Sequence, residues 1–525
     1  MAEVVFMAKF SERVNKKTGA VYVYEIVENY WDPEKKQSRN KQVYLGKRDP
    51  ETGEIIPSRS LSSTRVAAVD DKVTATTSVV GPSLILEQIT KKIGLEKVLR
   101  KAFPKDWEKI LSLSWYLACE GDALVHADTW CRNHEVPAKQ RLSSQRISEL
   151  LSSIDEDKQQ TFFKVWGKLV SENDYLCYDI TSVSSYAELN EYVCCGYNRD
   201  GEKLPQINLA MILGQMSQLP VTYRILPGSI PDVKTLKCLL ASFDKLEYPK
   251  LNLVMDRGFY SKTNVDDLVA QRYSFILGVP SHLKWVREKI DRFRNEMYGP
   301  QGYTKVDDEV IYMHTHMDYW EPTHRRYYMH LYFNARAAAE EYDNFTKALV
   351  TCKEELESGK KIPEHESYYE QFFHIKITPK RGIKVSYNNE AIEAYRSRYA
   401  GFFTLISTKE KDATKALQVY RDKDVIEKSF DDLKNTLDMK RLRVHSSSQM
   451  KGRLFLQFIA LIYTSQIRKG IRESKLNGKY SPKELMHEME SLTQIHYSGK
   501  YGKLLAEKTK SQRQILESFG IKLPT

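Results

Sequence analysis

Apolar and polar positions alternate with period two over residues 1–60. Val21-Tyr-Val-Tyr-Glu-Ile-Val and Gln42-Val-Tyr-Leu flank the turn-rich Trp31-Asp-Pro-Glu-Lys-Lys, which predicts a hairpin, and Asp49-Pro-Glu-Thr-Gly53 predicts a second turn. This stretch reads as a small β module. Residues 61–80, rich in Ser, Thr and Val, read as a linker. The period becomes helical over 83–170: Leu84-Ile-Leu-Glu-Gln-Ile, Trp107-Glu-Lys-Ile-Leu-Ser-Leu and Phe162-Phe-Lys-Val-Trp each place apolar side chains on one face. Ser143 is a candidate N-cap for a helix through Leu151. That helix suits either the second helix of a helix-turn-helix or a plain bundle.

From residue 174 the pattern is mixed. Tyr175-Leu-Cys-Tyr-Asp179-Ile reads as a strand ending in an acid. Gln206-Ile-Asn-Leu-Ala-Met-Ile-Leu and Leu219-Pro-Val-Thr-Tyr-Arg-Ile-Leu are two further strands. A helix begins at Pro231, Leu251-Asn-Leu-Val-Met-Asp256 is another strand ending in an acid, and Tyr273-Ser-Phe-Ile-Leu-Gly is a fifth. Three strands, helix, strand, helix, strand describes one α/β sheet with a mixed first half. Residues 281–400 interrupt it, with strands expected around 308–332, a helix near 335–358 and strands near 370–387. The sheet resumes at Gly401-Phe-Phe-Thr-Leu-Ile-Ser, and a strongly apolar helix spans Met450 to Ile467. No internal repeat or low-complexity tract is visible.

With 525 residues the chain has ample length for several domains. Lys plus Arg number 80 against 69 acids, a balance of +11 that leans toward a polyanionic partner without requiring one. The 32 tyrosines suit stacking surfaces as well as cores. Seven scattered cysteines contain no C-x-x-C pair, which argues against a zinc knuckle and for a reducing compartment; the adjacent Cys194 and Cys195 read as structural. The first residues lack the basic start and apolar stretch of a signal peptide, and the run Leu454–Tyr463 falls far short of the ~20 residues of a membrane span. The expectation is a soluble, cytoplasmic protein.

The richest stretch is Tyr420-Arg-Asp-Lys423-Asp-Val-Ile-Glu427-Lys-Ser-Phe-Asp-Asp-Leu-Lys434. Its steps of three, four and seven return to one helix face at about 3.6 residues per turn. An acid and two cations under an aromatic suit a face that holds metal and phosphate together. Asp179 and Asp256, each ending an apolar strand, are the acidic partners, and strand ends are where α/β sites form. Two aspartates and a glutamate offer the oxygen donors that hard divalent ions prefer. A two-metal site can drive in-line displacement at phosphorus, with Lys423 and Lys434 gripping phosphates. Taken singly, a strand-end Asp is more often a turn residue, and Asp431 and Asp432 compete for the role of Glu427.

The order of these acids resembles bacterial insertion-sequence transposases of the DDE type, in the superfamily marked by Tyr, two residues, Arg, three residues, Glu, six residues, Lys. Here those positions read Tyr420, Lys423, Glu427 and Lys434, with Lys in place of the usual Arg; charge survives but the bidentate fork does not. Tyr178-Asp179-Ile-Thr-Ser, Gly196-Tyr-Asn-Arg-Asp-Gly and Leu204-Pro-Gln-Ile-Asn-Leu resemble the first-acid region, and Met255-Asp256-Arg-Gly-Phe-Tyr-Ser the second. The resemblance spans about residues 80–470. It implies Asp179, Asp256 and Glu427 as the catalytic, metal-binding triad with Mg2+, Mn2+ being able to substitute, and a ribonuclease-H-like core with a mixed insertion before the glutamate helix.

The implied organisation is an N-terminal β module and linker (1–80), a helical DNA-binding region (81–170), the core in two parts (171–280 and 401–470), the insertion (281–400) and a C-terminal helical region (471–525). The expected partners are double-stranded DNA, both terminal inverted repeats and target, and a second copy of the chain in the DNA complex, with no membrane and a bacterial, nucleoid-associated location. DNA-binding candidates are Tyr420, Lys423, Lys434, Arg257, Gln145, Arg146, Trp285 and Trp320; ordinary packing is the simpler reading of the two tryptophans. His314, His316 and His324 have no nearby Cys or acid to complete a metal set, and period-two alternation accounts for the first two. The rival functions are a nuclease on the same core that never joins strands, and an inactive DNA-binding derivative.

Overall fold

A computed structural model describes residues 10–33, 35–57, 75–171, 174–187, 190–248, 251–299, 302–378, 382–396, 399–442, 446–497 and 502–522. The chain divides into two compact units, Met1–Thr77 with Ile495–Leu504, and Ser78–Gln494 with Leu505–Thr525.

In the first unit, strands β1 (Phe10–Val14), β2 (Val21–Asp32), β3 (Gln37–Arg48) and β4 (Ile55–Pro57) form an antiparallel sheet in sequential order. The long hairpin is the expected one, with Trp31 opposite Ser38. Tyr22, Tyr24 and Tyr44 cluster on it, with ring centroids 5.8 and 5.2 Å apart, as cross-strand aromatic pairs do. Most of the expected linker, 61–74, lies outside the described residues, whereas Ala75–Val79 is a strand.

The second unit holds the helical and α/β regions around one core. Helices α1 (Gly81–Ile93), α2 (Leu95–Ala102), α3 (Trp107–Glu120), α4 (Ala127–Asn133), α5 (Ser144–Ser153) and α6 (Glu156–Val170) precede the sheet. They gather about the later apolar helix Ser447–Arg472, in which every residue from Leu454 to Ser465 is buried. A helix that is buried all round belongs at the centre of a core. Phe103 and Phe162 each lie 5.1 Å from Phe455, and Trp115 meets Tyr463 edge-on. Among the described residues no helix is long and apolar enough to cross a membrane.

The element order of the sheet is as read: β5 (Tyr175–Ser185), β6 (Gln206–Gly214), β7 (Pro220–Pro227), α7 (Asp232–Leu246), β8 (Asn252–Met255), α8 (Lys262–Ala270) and β9 (Ser274–Val279). β5, β6 and β7 pair antiparallel, β8 runs parallel to β5 on its other side, and β9 runs parallel to β8. After α9 (Lys284–Met297), strands β10 (Tyr303–Val306), β11 (Glu309–Trp320) and β12 (Arg325–Asn334) continue this same sheet. β12 pairs with β15 (Phe402–Ser407), which pairs with β9. Between them, α10 (Ala335–Ser358), α11 (Glu366–Phe372), the hairpin β13 (Phe373–Thr378) and β14 (Gly382–Tyr387), and α12 (Asn389–Arg396) carry a second, smaller hydrophobic cluster centred on Phe345, Leu349, Tyr369 and Phe372. Only 335–396 of the expected insertion thus has a core of its own; the alternation over 309–334 predicts strands but not which sheet they join.

Candidate active site

Asp179 does not end its strand as the pattern suggested: β5 runs on to Ser185. Thr181, Ser182, Ser184 and Ser185 look like loop residues in the sequence, yet all four are buried. Ser182 shares a hydrogen-bonded network with Asn208 and the Tyr197 carbonyl, and Asn198 donates to Ser184, which makes polar burial tolerable. What ends at Tyr178 is the parallel pairing, with Tyr178 opposite Met255. Asp179 and Asp256 are the next residue on each strand, so the two carboxylates emerge side by side where β8 stops and β5 carries on.

The third acid reaches them from α13 (Ala413–Arg421) and α14 (Asp424–Asp431), which follow β15. The run from Tyr420 to Lys434 is not one uniform helix. Bonds from the N–H of Lys423 to Tyr420 and of Val425 to Asp422 tighten the chain between α13 and α14 to i→i+3 spacing, and residues Asp432–Thr436 open into a π turn closed by Leu437 N–H on the Asp432 carbonyl. Tyr420, Lys423 and Glu427 still meet: the Lys423 ammonium donates to Glu427 at 2.9 Å and lies 5.6 Å from the centre of the Tyr420 ring.

Asp179, Asp256 and Glu427 line one cleft of about 640 Å3. Burial pushes the Asp179 carboxyl up to about 6, against the pull of its own backbone contact at Ile180, Lys423 and Arg199, and the nearby Asp256 pushes the same way as burial. Burial also pushes Asp256 upward, but the Tyr420 hydroxyl, the Lys423 charge and the Arg257 N–H outweigh it and hold this carboxyl below its usual range. Both donors act on one oxygen: Tyr420 Oη and, at 2.8 Å, Arg257 N contact Asp256 Oδ1. Lys423 is desolvated, yet Glu427, Asp256 and Asp179 raise its pKa and keep it charged. Of the rival acids, Asp432 is buried and paired with Arg468, away from the cleft lining, whereas Asp431 lines the cleft and accepts from Asn435.

The remaining candidates are dispersed. Lys434 lines the cleft with both oxygens of Asp200 on its ammonium. Arg257 is exposed beside Asp256. Trp285 and Trp320 lie in a partly buried aromatic cluster with Tyr260 and Tyr327, outside the cleft lining, and Trp320 Nε1 donates to Asp266 at 2.7 Å. Gln145 and Arg146 are exposed on α5, whose other face packs Ile147, Leu150 and Leu151 inward. His314 and His316 flank Phe293 of α9, with centroids 4.4 and 4.8 Å away, and, against expectation, acids do stand near them: Glu296 at 3.5 Å from His314 and Asp318 at 3.6 Å from His316. The cleft also contains Arg199 and Asp200, which lie in the Gly196–Gly201 stretch that resembles the first-acid region, together with Asp232 and Lys440, which belong to none of the motifs. Their signal was the Arg-Asp-Gly turn after Tyr197 and the acid directly after Pro231.

Residues 174–463, more than half of the chain, match the family model described as the transposase DDE domain. The chain belongs to the DDE transposase family. Enzymes of this family cleave DNA and transfer strands, and they generally use divalent metal ions. Among solved structures, a piggyBac transposase synaptic complex with hairpin DNA is similar at 11% identity and a TM-score of 0.35, covering 77% of this chain and 70% of that one. A Drosophila P element transposase strand transfer complex is similar at 12% identity and a TM-score of 0.18, covering 75% of this chain and 89% of that one. No curated protein matches.

Proposed function

We propose that this DDE transposase is the enzyme of a bacterial insertion sequence. It binds the element's terminal inverted repeats, cleaves the ends and joins them to target DNA, using Asp179, Asp256 and Glu427. The observation that carries this reading is that three carboxylates from three separate elements, β5, the exit of β8 and α14, line one cleft. The strand order supports a ribonuclease-H-like core: three antiparallel strands, then two parallel strands added on the far side of the first.

The three groups are all carboxylates, an oxygen-only donor set that fits a hard cation such as Mg2+ better than a soft one. Asp179, crowded by Asp256 and poorly solvated, is the kind of carboxylate that gains from a bound cation. Bound there, a pair of such ions would activate the attacking hydroxyl and stabilise the leaving oxygen. The chain's own contribution is positional. Tyr420 and the Arg257 N–H fix one oxygen of Asp256, Lys423 balances the acids, and Lys434 sits on the cleft wall where a DNA strand passes. Cleavage and joining are both in-line displacements at phosphorus, so one constellation serves both. Two ends need two such clefts, hence a homodimer on DNA, acting in the nucleoid.

The test uses the full chain with a duplex carrying the element's own end. Mg2+-dependent nicking is expected, and Asp179→Asn, Asp256→Asn and Glu427→Gln should each abolish it while duplex binding persists. Nicking that survives one of these changes removes that residue from the set. Nicked ends that never join added target DNA would identify a nuclease instead.

A further inference from the structure

Lys434 presents a conflict. A lysine that is to grip a DNA phosphate needs a free ammonium, but its side chain is only 11% exposed and donates to both Asp200 oxygens at 2.7 and 2.8 Å. The same loop makes a second such contact two residues on. Glu202 accepts from Arg441 Nη2 at 2.9 Å and Nε at 3.2 Å, while Arg441 Nη1 donates to the Tyr186 hydroxyl at 3.0 Å. Arg441 opens the short strand Arg441–Leu442 that pairs with β5, so both cations belong to the segment leaving the glutamate helix, and both acids belong to the loop between β5 and β6.

The loop is built as a strap with a firm root and an open tip. At the root, Gln206 Nε2 donates to the Tyr197 carbonyl at 2.8 Å, Asn198 donates to Ser184 at 3.1 Å, and Arg199 pairs with Asp232. At the tip, Asp200 N–H closes an Asx turn on Asn198 at 2.8 Å, and Gly201 takes a φ of +70°. From this tip the Asp200 and Glu202 carboxylates reach Lys434 and Arg441.

We propose that Lys434 and Arg441 are two seats for backbone phosphates, held in the DNA-free protein by Asp200 and Glu202, and that an incoming DNA strand displaces these two carboxylates. This rests on the reading of the cleft as a DNA site. The chemistry is one exchange made twice: a phosphate oxygen replaces a carboxylate oxygen on the same donor, and the guanidinium of Arg441, whose Nη2 and Nε now converge on Glu202 Oε1, has the planar fork to take two phosphate oxygens. The strap keeps the cleft from gripping arbitrary polyanions, because binding must first break two ion pairs. A partly exposed pair such as Arg441–Glu202 is worth a few-fold in affinity, and the more buried Lys434–Asp200 pair at least as much.

The full-length protein and its Asp200→Asn/Glu202→Gln variant are titrated with a short blunt duplex of mixed sequence at several salt concentrations. The variant should bind roughly 3- to 10-fold more tightly at low salt, the product of the two factors, and adding Arg441→Gln should remove much of the gain. Equal or weaker binding by the variant, with the wild type still binding, overturns the strap while leaving the DNA site in place. No binding by either protein overturns the DNA site itself. Should the variant fold poorly, hydrogen exchange on the wild type decides: duplex should speed exchange at 199–203 and slow it at 434–442, and protection of the loop refutes displacement.

Discussion

Gly278, on β9, has no charge and touches no substrate, yet Gly278→Ala should disable the site. A Cβ built there would lie 2.8 Å from the Tyr420 hydroxyl and 2.9 Å from the Arg257 nitrogen. Those two groups are the donors to Asp256 Oδ1. An ordinary carbon contact is roughly 3.5 Å, so each donor would have to retreat by roughly 0.6 to 0.7 Å, and neither is the loose end of a flexible chain. A hydrogen bond to a charged group contributes about 1.5–3 kcal/mol, so losing most of one should slow Mg2+-dependent cleavage roughly 10- to 100-fold. Overpacking adds about 1–3 kcal/mol of destabilisation. The assay is single-turnover nicking beside urea unfolding, on Gly278→Ala, Tyr420→Phe and the double variant. Because the methyl group acts partly through the hydroxyl, the double variant should be far less impaired than the product of the two single effects. A folded Gly278→Ala that cleaves at the wild-type rate, or effects that multiply, would refute the claim that this close approach positions Asp256.

Two predictions concern stability. His330 on β12 is fully buried as the neutral ring, bonded to Thr315 at 2.9 Å and to the Glu410 carbonyl at 3.2 Å, and burial lowers its pKa to about 4. The unfolded residue protonates near 6.5, so its contribution is complete above that pH and is lost as pH falls from about 6.5 towards 4; roughly 2 kcal/mol should go by pH 5, and urea midpoints should show His330→Gln losing less over the same interval. Arg468→Met strands the buried Asp432 carboxylate and should cost about 3 kcal/mol in the same assay, with Asp432→Asn added to it recovering part of the loss; a change below about 0.5 kcal/mol would mean the pair is too hydrated to matter.

The legible part of this fold is the part with local causes. Apolar runs bounded by turns give β5 to β9, and the acids directly after Tyr178 and Met255 stand out because charge follows so abruptly on burial. What the sequence hides is where the partner lies far along the chain. Ser182 and Ser184 read as loop until Asn208 and Asn198 supply their hydrogen bonds, and Lys434 reads as a free cation because Asp200 stands 234 residues earlier. The strands over 303–334 declare themselves by alternation, but joining the main sheet depends on β15, which follows 335–396.

The run from Tyr420 to Lys434 shows how a correct spacing can rest on a wrong geometry. Steps of three, four and seven share a face only if every turn is the same, and here one turn is tightened at Asp422–Lys423 and another widened at Asp432–Thr436. The step from Lys423 to Glu427 survives the tightened turn, which runs to the Ile426 N–H on the Lys423 carbonyl, because it spans a single turn that a long lysine side chain can bridge, and the two side chains meet at 2.9 Å. The step to Lys434 crosses the π turn, and that ammonium arrives at Asp200. The two lysines therefore occupy different electrical settings. Lys423 is a counter-charge inside the acid cluster, coupled to Glu427, Asp256 and Asp179. A compact ammonium suffices for that task, since neutralising several carboxylates at once needs charge rather than a planar fork. The planar fork that a phosphate rewards is found further along the same segment, at Arg441, whose Nη2 and Nε now share one oxygen of Glu202.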